Sequence, residues 1–218
     1  MDWQRARTDE KKNERRDAIL EAAFILFKKK GYEKVSFNGI AVEAGFTKSN
    51  MYRYFHSKEE IFLNIFSSLF VQWFEDCCKS LRKTEQGVSI ENFSKMWVKT
   101  LVDHPRLLDL KPILFIALEN NSSFEELIEF KTLAKGLLYE IAVEISRIFP
   151  ELEGEKAFKF LTLSYAATSN SWAATFQSEA LKKVYQLEEF KILRPDFNND
   201  LTSSIEIIIH GLTSMSNK

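Results

Sequence analysis

Apolar residues recur at intervals of three and four positions along most of this chain, which is the spacing of helices that bury one face. Gly and Pro are scarce, at seven and four among 218 residues, so breaks between helices are few. No strand-like alternation or internal repeat interrupts this pattern, and we expect an all-α chain. The nine predicted helices cover residues 13–30, 38–44, 47–54, 58–81, 89–104, 106–119, 123–150, 154–184 and 200–215.

Residues 38–55 carry the spacing of two short helices that meet at a tight turn. Ala41 is small enough for close helix contact, Gly45 can adopt a left-handed turn, and Met51 falls on the inner face of the second helix. Thr47 is a suitable cap for that helix. The spacing predicts a helix-turn-helix, a motif that places its second helix in the DNA major groove. Similar helix pairs also occur as plain packing motifs, so the spacing alone leaves both interpretations open.

The second of these helices separates an apolar face from a polar face. Steps of 100° per residue place Met51 and Phe55 on the inner side. The same steps place Ser49, Asn50 and Arg53 on the opposite side. Asn can pair with adenine and Arg with guanine, each giving ~1–3 kcal/mol of discrimination when the contact is bidentate. We therefore expect Asn50 and Arg53 to read base edges.

Charge is distributed unevenly along the chain, although the net charge is only -1. Residues 1–58 hold thirteen Lys and Arg against eight acids, so the remainder is acidic. Lys and Arg displace the counterions that condense on a phosphate backbone, and a basic end on an acidic body is typical of a polyanion-binding module. An ordinary solvated charged surface explains the charge count equally well.

The helix-turn-helix lies in the run ILEAAFILFKKKGYEKVSFNGIAVEA followed by GFTKSNMYRYFHSKEEIF. An aromatic residue follows the turn glycine, a Thr caps the next helix, a Tyr-x-Tyr-Phe run follows, and Ser-Lys-Glu-Glu opens the fourth helix. In this order of elements, from about Asn13 to Phe66, the chain closely resembles the N-terminal DNA-binding domain of the TetR family of bacterial transcription regulators.

The resemblance implies a nine-helix chain that forms a homodimer. It implies a DNA-binding domain at residues 1–58, with residues 1–12 as a flexible arm, and a ligand-binding and dimerisation domain at residues 59–218. The helices at 154–184 and 200–215 are apolar enough to need cover and are expected to form the dimer interface across a twofold axis. The last of them offers the stripe Ile205, Ile208, Ile209 and Leu212. Packing within one chain is the alternative.

Further positions in the matched segment commonly touch DNA phosphates in this family. For Tyr54 and His56 a packing role is about as reasonable, and Lys48 and Lys58 are also compatible with ordinary surface lysines. As cations at helix starts, these lysines oppose the helix dipole, a conflict that a phosphate partner would relieve. The residues expected to contact DNA are Ser36, Thr47, Lys48, Ser49, Asn50, Tyr52, Arg53, Tyr54, His56 and Lys58.

The remainder of the chain is rich in aromatic residues, and the whole chain has nineteen Phe. Some of these side chains are expected to line an apolar cavity for a small hydrophobic ligand, although aromatic residues at helical spacing are more often simple core. The candidates are Phe93, Trp97, Phe115, Phe130, Tyr165 and Trp172. We find no charged cluster in this part of the sequence that marks a site for an anion or a metal.

Other functional classes have little support in the sequence. The HExxH, DDxxD, GxxxxGK and GxGxxG motifs are absent, so we expect no catalytic site, metal or cofactor. Cys77 and Cys78 are adjacent and form neither a disulfide framework nor a metal pair, which favours a cytoplasmic protein without a membrane span. The expected function is a repressor that binds a pseudo-palindromic operator as a homodimer and is released by a small hydrophobic ligand. A helical enzyme or lipid carrier, or a regulator without an inducer, is the alternative.

Overall fold

The structure, a computed structural model, describes the backbone of residues 2–215 and the side chains of residues 10–215. This part of the chain is helical and contains no strand, which confirms the all-α prediction. Its ten α-helices are α1 (Asp2–Lys30), α2 (Phe37–Glu43), α3 (Lys48–Met51), α4 (Lys58–Lys83), α5 (Ile90–Val102), α6 (Pro105–Leu110), α7 (Phe124–Ile148), α8 (Glu155–Ala173), α9 (Glu179–Val184) and α10 (Phe197–Ser214). Short 3-10 turns join several of them, and a π-helical segment covers Leu114–Leu118.

Ser36 and Thr47 cap α2 and α3, and the cap at Thr47 is the one that the sequence predicts. The backbone N–H of Gly39 donates to Ser36 Oγ at 3.1 Å, and that of Asn50 donates to Thr47 Oγ1 at 3.3 Å. Each bond satisfies a donor of the first helical turn that has no partner within the helix. Local side-chain chemistry therefore decides where the two short helices begin.

Two early helix boundaries differ from the prediction. α1 begins at Asp2, so the backbone of residues 2–12 is helical where we expected a flexible arm. The predicted helix at 106–119 ends as an α-helix at Leu110 and continues as 3-10 and π-helical turns. The reason is Pro112, which has no N–H to donate and whose ring crowds the preceding turn.

The predicted helix at 154–184 is divided into α8 and α9, so residues 2–215 contain ten α-helices instead of nine. Ser178 causes the division, because its Oγ accepts the N–H of Leu181 at 3.2 Å and thereby starts a new helix. The cap of α10 is Asp196, four residues before residue 200, where the last helix was predicted to begin. Asp196 Oδ1 accepts the N–H of Asn199 at 3.2 Å, and Asp200 Oδ2 accepts the N–H of Asp196 at 2.8 Å, so both carboxylates satisfy backbone donors of the first turn.

The chain divides into two compact units. The N-terminal unit comprises the chain up to Ser68 together with Leu114–Lys131, and the body unit comprises Leu69–Ile113 and the chain from Thr132 onward. In the N-terminal unit α2 packs against α1 and α3, and in the body unit α10 packs against α5 and α8. The functional domain boundary after residue 58 remains a prediction. Among the helices of residues 2–215, none is both long and apolar enough to cross a membrane.

Candidate nucleic-acid interface

The turn between α2 and α3 has the geometry of a helix-turn-helix. Gly45 has φ 73°, a left-handed conformation that a side chain would strain, and its N–H donates to the carbonyl of Val42 at 3.1 Å. The next N–H, that of Phe46, donates to the carbonyl of Ala41 at 2.8 Å. Ala41 is buried where the two helices meet. The roles that the sequence assigns to Ala41 and Gly45 in folding are therefore confirmed.

The two faces of α3 are separated as predicted. Met51 and Phe55 are fully buried at 0% exposure, whereas Asn50 and Arg53 are exposed. Arg16 of α1 packs against the buried Phe55: its guanidinium lies 4.7 Å from the centroid of the Phe55 ring and also donates to Asn64 Oδ1. The predicted DNA-contacting residues that are exposed are Ser36, Thr47, Lys48, Ser49, Asn50, Tyr52, Arg53 and His56. Their contact with DNA remains a prediction.

The two tyrosines of this region have different surroundings. Tyr52 is exposed, and its ring packs at 5.2 Å against that of Phe37 from α2. The ammonium of Lys48 lies 6.0 Å from the centroid of the same Tyr52 ring. Tyr54 is half-buried and meets Phe46 edge to face at 6.1 Å. The packing interpretation is therefore stronger for Tyr54, and Tyr52 is the better candidate for a DNA contact.

Among the predicted DNA contacts, Lys58 is the one whose ammonium is most engaged in contacts with other residues of the chain. Its Nζ lies 4.0 Å from the centroid of the Tyr32 ring and donates to the Tyr32 carbonyl at 3.4 Å, and 17% of its side chain is exposed. The Tyr32 hydroxyl donates in turn to Glu59 Oε1 at 3.0 Å. Burial and the neighbouring Glu59 carboxylate raise the pKa of Tyr32, so this phenol remains protonated. A phosphate at Lys58 would have to share the ammonium with Tyr32.

A basic cleft lies beside the exposed face of α3, and the sequence reasoning missed it. The cleft has a volume of about 420 Å³ and is lined by Lys11, Lys12, Arg15, Arg53 and Tyr54. These residues include four cations and no acid. Like charges that converge on one concave surface repel one another unless an anion lies between them. The extension of α1 toward the N-terminus supplies three of the four cations, so the signal was the cluster of basic residues before residue 16.

The predicted dimer helices present a different face from the one expected. In α10 the side chains of Ile205, Ile209 and Leu212 are buried within the chain, because α10 packs against α5 and α8. The expectation that this stripe faces a second subunit is therefore wrong for these three residues. Ile207, on the opposite side of α10, is 70% exposed, and Leu163 of α8 is also exposed. The outward faces of α8 and α10 are thus the surfaces left for a partner.

The six aromatic candidates for a ligand cavity differ in exposure. Phe93, Trp97 and Phe130 are buried, Tyr165 and Trp172 are partly buried, and Phe115 is 51% exposed. Phe115 and Phe130 belong to the N-terminal unit and the other four to the body unit. A single cavity lined by all six remains a prediction.

Three of the six aromatic candidates make side-chain hydrogen bonds. Trp97 Nε1 donates to Ser164 Oγ at 2.8 Å, and the Tyr165 hydroxyl donates to the carbonyl of Lys111 at 2.7 Å. Trp172 Nε1 donates to a carboxylate oxygen of Asp109 at 3.1 Å. Asp109 and Lys111 are buried charged residues that we did not anticipate in this body. In the part of the chain that the structure describes, no cluster of His, Cys, Asp and Glu could hold a metal ion.

Two family models together match nearly all of the chain. Residues 19–65 match the model described as bacterial regulatory proteins, tetR family, and residues 67–215 match the tetracyclin repressor-like C-terminal domain. A curated relative, the uncharacterized HTH-type transcriptional regulator YfiR of Bacillus subtilis (strain 168), is 34% identical over 86 residues. That match covers 39% of this chain and 42% of YfiR, so it spans less than half of the relative.

Solved structures share the fold at low sequence identity. The regulator FadR from Bacillus subtilis in complex with stearoyl-CoA is 14% identical, with a TM-score of 0.56 over 89% of this chain and 97% of that one. Thermus thermophilus FadR, a TetR-family repressor in complex with lauroyl-CoA, is 16% identical, with a TM-score of 0.54 over 93% of this chain and 96% of that one. At these identities the likeness concerns the fold alone.

Proposed function

The chain belongs to the TetR family of bacterial transcriptional regulators, and we propose that it is a repressor that binds a pseudo-palindromic DNA operator as a homodimer and is released by a small amphipathic or apolar effector. The observation that carries the proposal is the division of α3 into two faces. Asn50 and Arg53 are exposed on one face, and Met51 and Phe55 are buried on the other. This arrangement leaves bidentate donors and acceptors free for base edges in the major groove.

The phosphate contacts are proposed to surround this reading face. Ser36, Thr47, Lys48 and Tyr52 are exposed at or beside the starts of α2 and α3, where backbone N–H groups favour anions. The basic cleft, lined in part by Lys11, Lys12 and Arg15, extends this surface onto α1. These contacts would position the protein on any duplex, and base contacts would select the operator.

The homodimer is proposed to form through the outward faces of α8 and α10. Residues 160–178 carry no charged side chain, and the exposed residues of α8 within this stretch include Thr162, Leu163, Ala166, Asn170 and Ala173. The connection that follows α9 exposes Leu187, Ile192 and Leu193, which also favours burial against a second copy. A twofold dimer would present two copies of α3 about one DNA turn apart, ~34 Å, and so require a pseudo-palindrome.

The effector is proposed to bind in the body unit. Structural neighbours of this chain were solved with stearoyl-CoA and lauroyl-CoA, and the body of this chain contains a cluster of packed rings that includes Phe93, Trp97 and Phe160. An effector shifts the protein from the operator only when it binds a non-binding arrangement more tightly than the operator-binding one. Acyl thioesters and related amphipathic molecules are therefore the first effectors to test.

A genomic DNA selection with the purified full-length protein tests the proposal. We expect the recovered fragments to share a site with twofold symmetry. In fluorescence anisotropy, Arg53→Ala should then reduce the preference for the recovered site at one base pair per half-site, while Lys135→Ala, an exposed residue of α7, should change nothing. Recovery of no common site, or equal losses for Arg53→Ala on operator and random duplex, would overturn the assignment of the reading face.

A further inference from the structure

Lys111 is a buried lysine in the body unit, at the start of the 3-10 turn that follows α6. It is 5% exposed, so nearly the whole side chain is removed from solvent, whereas lysine side chains usually extend into it. Nζ lies 4.1 Å from the centroid of the Tyr165 ring and 5.9 Å from that of Trp73. Among the described side chains, none supplies this ammonium with an ion pair or a hydrogen bond. Its three donors therefore have no hydrogen-bond acceptor among the residues that the structure describes.

The nearest acid in sequence is Asp109, and its carboxylate already accepts the indole N–H of Trp172 at 3.1 Å. Burial lowers the pKa of Lys111 to about 7, and no carboxylate offsets this effect. Attraction to the ring faces compensates only part of the cost of burying a cation. An anion placed beside Nζ would remove the cost, because it would supply both the missing charge and the missing acceptors.

The surroundings of Lys111 define what else such an anion must carry. Trp73 stacks on Phe70 at 5.6 Å and meets Trp97 edge to face at 5.9 Å, so the ammonium lies beside a continuous set of rings. Aromatic faces of this kind can also bind a cationic ligand. Here the chain has placed its own cation against them, and a second cation would be repelled. The chemistry therefore favours a molecule with one anionic end and an apolar remainder.

We propose that Lys111 anchors the anionic head, a carboxylate or a phosphate, of an amphipathic effector whose apolar part packs against Trp73 and the neighbouring rings. The proposal rests on the effector-responsive function proposed above and specifies the chemistry of its ligand. It also assigns Tyr165 a positioning role, because the Tyr165 hydroxyl donates to the Lys111 carbonyl at 2.7 Å while its ring faces Nζ.

Calorimetry with three probes of equal chain length tests the proposal: dodecanoate, dodecyl phosphate and the uncharged dodecanol. The full-length protein should bind the better of the two anions about tenfold or more tightly than dodecanol, and the comparison of the anions distinguishes a carboxylate from a phosphate head. Lys111→Met keeps an unbranched apolar side chain. In this variant the affinity for the better anion should fall to about that for dodecanol, while dodecanol still binds. Lys135→Met should retain the full preference. A preference that survives in Lys111→Met, or the absence of any preference in the unmodified protein, would overturn the proposal.

A second measurement avoids variants altogether. In the unmodified protein with 13Cε-labelled lysine, the bound anionic probe should raise the pKa of Lys111, since an adjacent negative charge favours the ammonium. An unchanged Lys111 pKa in the saturated complex would overturn the anchor. Anisotropy with operator DNA then separates the two proposals: probe binding that depends on Lys111 but leaves DNA bound would sustain the anchor and refute the release mechanism. Conversely, if the probes release DNA but bind Lys111→Met as tightly as the unmodified protein, the release mechanism is sustained and the anchor is refuted.

Discussion

Replacement of Lys111 by Met should stabilise the free protein, and the gain should depend on pH in a defined direction. The folded chain holds Lys111 with a pKa of about 7, whereas an unfolded chain holds it at 10.5. Between these values the unfolded state binds a proton that the folded state lacks, so the free energy of unfolding rises with pH. Below pH 7 both states are protonated and the folded state bears the full cost of the buried cation.

The magnitude follows from the difference of about 3.5 pH units between the two states, at 1.36 kcal/mol per unit. The buried ammonium should cost about 5 kcal/mol at pH 6 and about 1–2 kcal/mol at pH 9.5. The stability gained in Lys111→Met should therefore shrink by about 3 kcal/mol between these two pH values. All other ionisable groups are common to the two proteins, so their contributions largely cancel in the comparison.

Urea unfolding followed by tryptophan fluorescence measures this difference. Three of the four tryptophans, Trp73, Trp97 and Trp172, belong to the body unit that contains Lys111, so the signal reports on the relevant unit. Protein concentration must be equal throughout, because the proposed dimerisation would contribute to apparent stability. Lys135→Met is the control and should match the unmodified protein at both pH values. A Lys111→Met variant that is less stable at pH 6, or a gain that does not change with pH, would refute the reasoning.

Three further predictions concern the N-terminal unit and the outward faces of the body. Met51→Ala should destabilise the N-terminal unit by about 2–5 kcal/mol and abolish operator binding in anisotropy; retained binding would show that α3 does not depend on its buried face. Arg15→Gln should weaken binding to every duplex and reduce the slope of log K against log salt by about 1, whereas Lys29→Gln, exposed at the other end of α1, should leave both unchanged. Ile207→Glu should shift the sedimentation coefficient toward that of a monomer, whereas Val143→Glu, at another exposed position, should leave it unchanged. A dimer that persists in Ile207→Glu would exclude the outward face of α10 as the dimer interface.

The helix-turn-helix was predictable from the sequence because its determinants are local. Thr47 caps the helix that begins one residue later, Gly45 adopts the conformation that only glycine tolerates well, and the four-residue spacing of Met51 and Phe55 decides which side is buried. Each signal acts over a few residues, so the order of residues along the chain already contains it. The exposed position of Asn50 and Arg53 follows directly from that spacing.

The body was less predictable because its determinants are not local. The stripe of α10 that includes Ile205 and Ile209 identifies an apolar face, but only the position of α5 and α8 shows that the face is buried within the chain. Lys111 occurs as one charged residue between apolar neighbours, a pattern that fits an exposed turn as well as a buried site. Its surroundings include the rings of Trp73 and Tyr165, which lie far away in sequence.

The cations of the basic cleft and Lys111 respond to different conditions, and this difference distinguishes two routes by which an anionic effector could release DNA. Lys11, Lys12 and Arg15 are exposed, so an anion in solution can compete with DNA for them, and ionic strength weakens both contacts alike. Lys111 is buried and is screened far less by salt. Release by competition would therefore grow with the charge of the anion and persist without Lys111. Release through the body should instead require Lys111, saturate with occupancy of one site per chain, and occur at constant ionic strength, because it acts by shifting the protein between two arrangements.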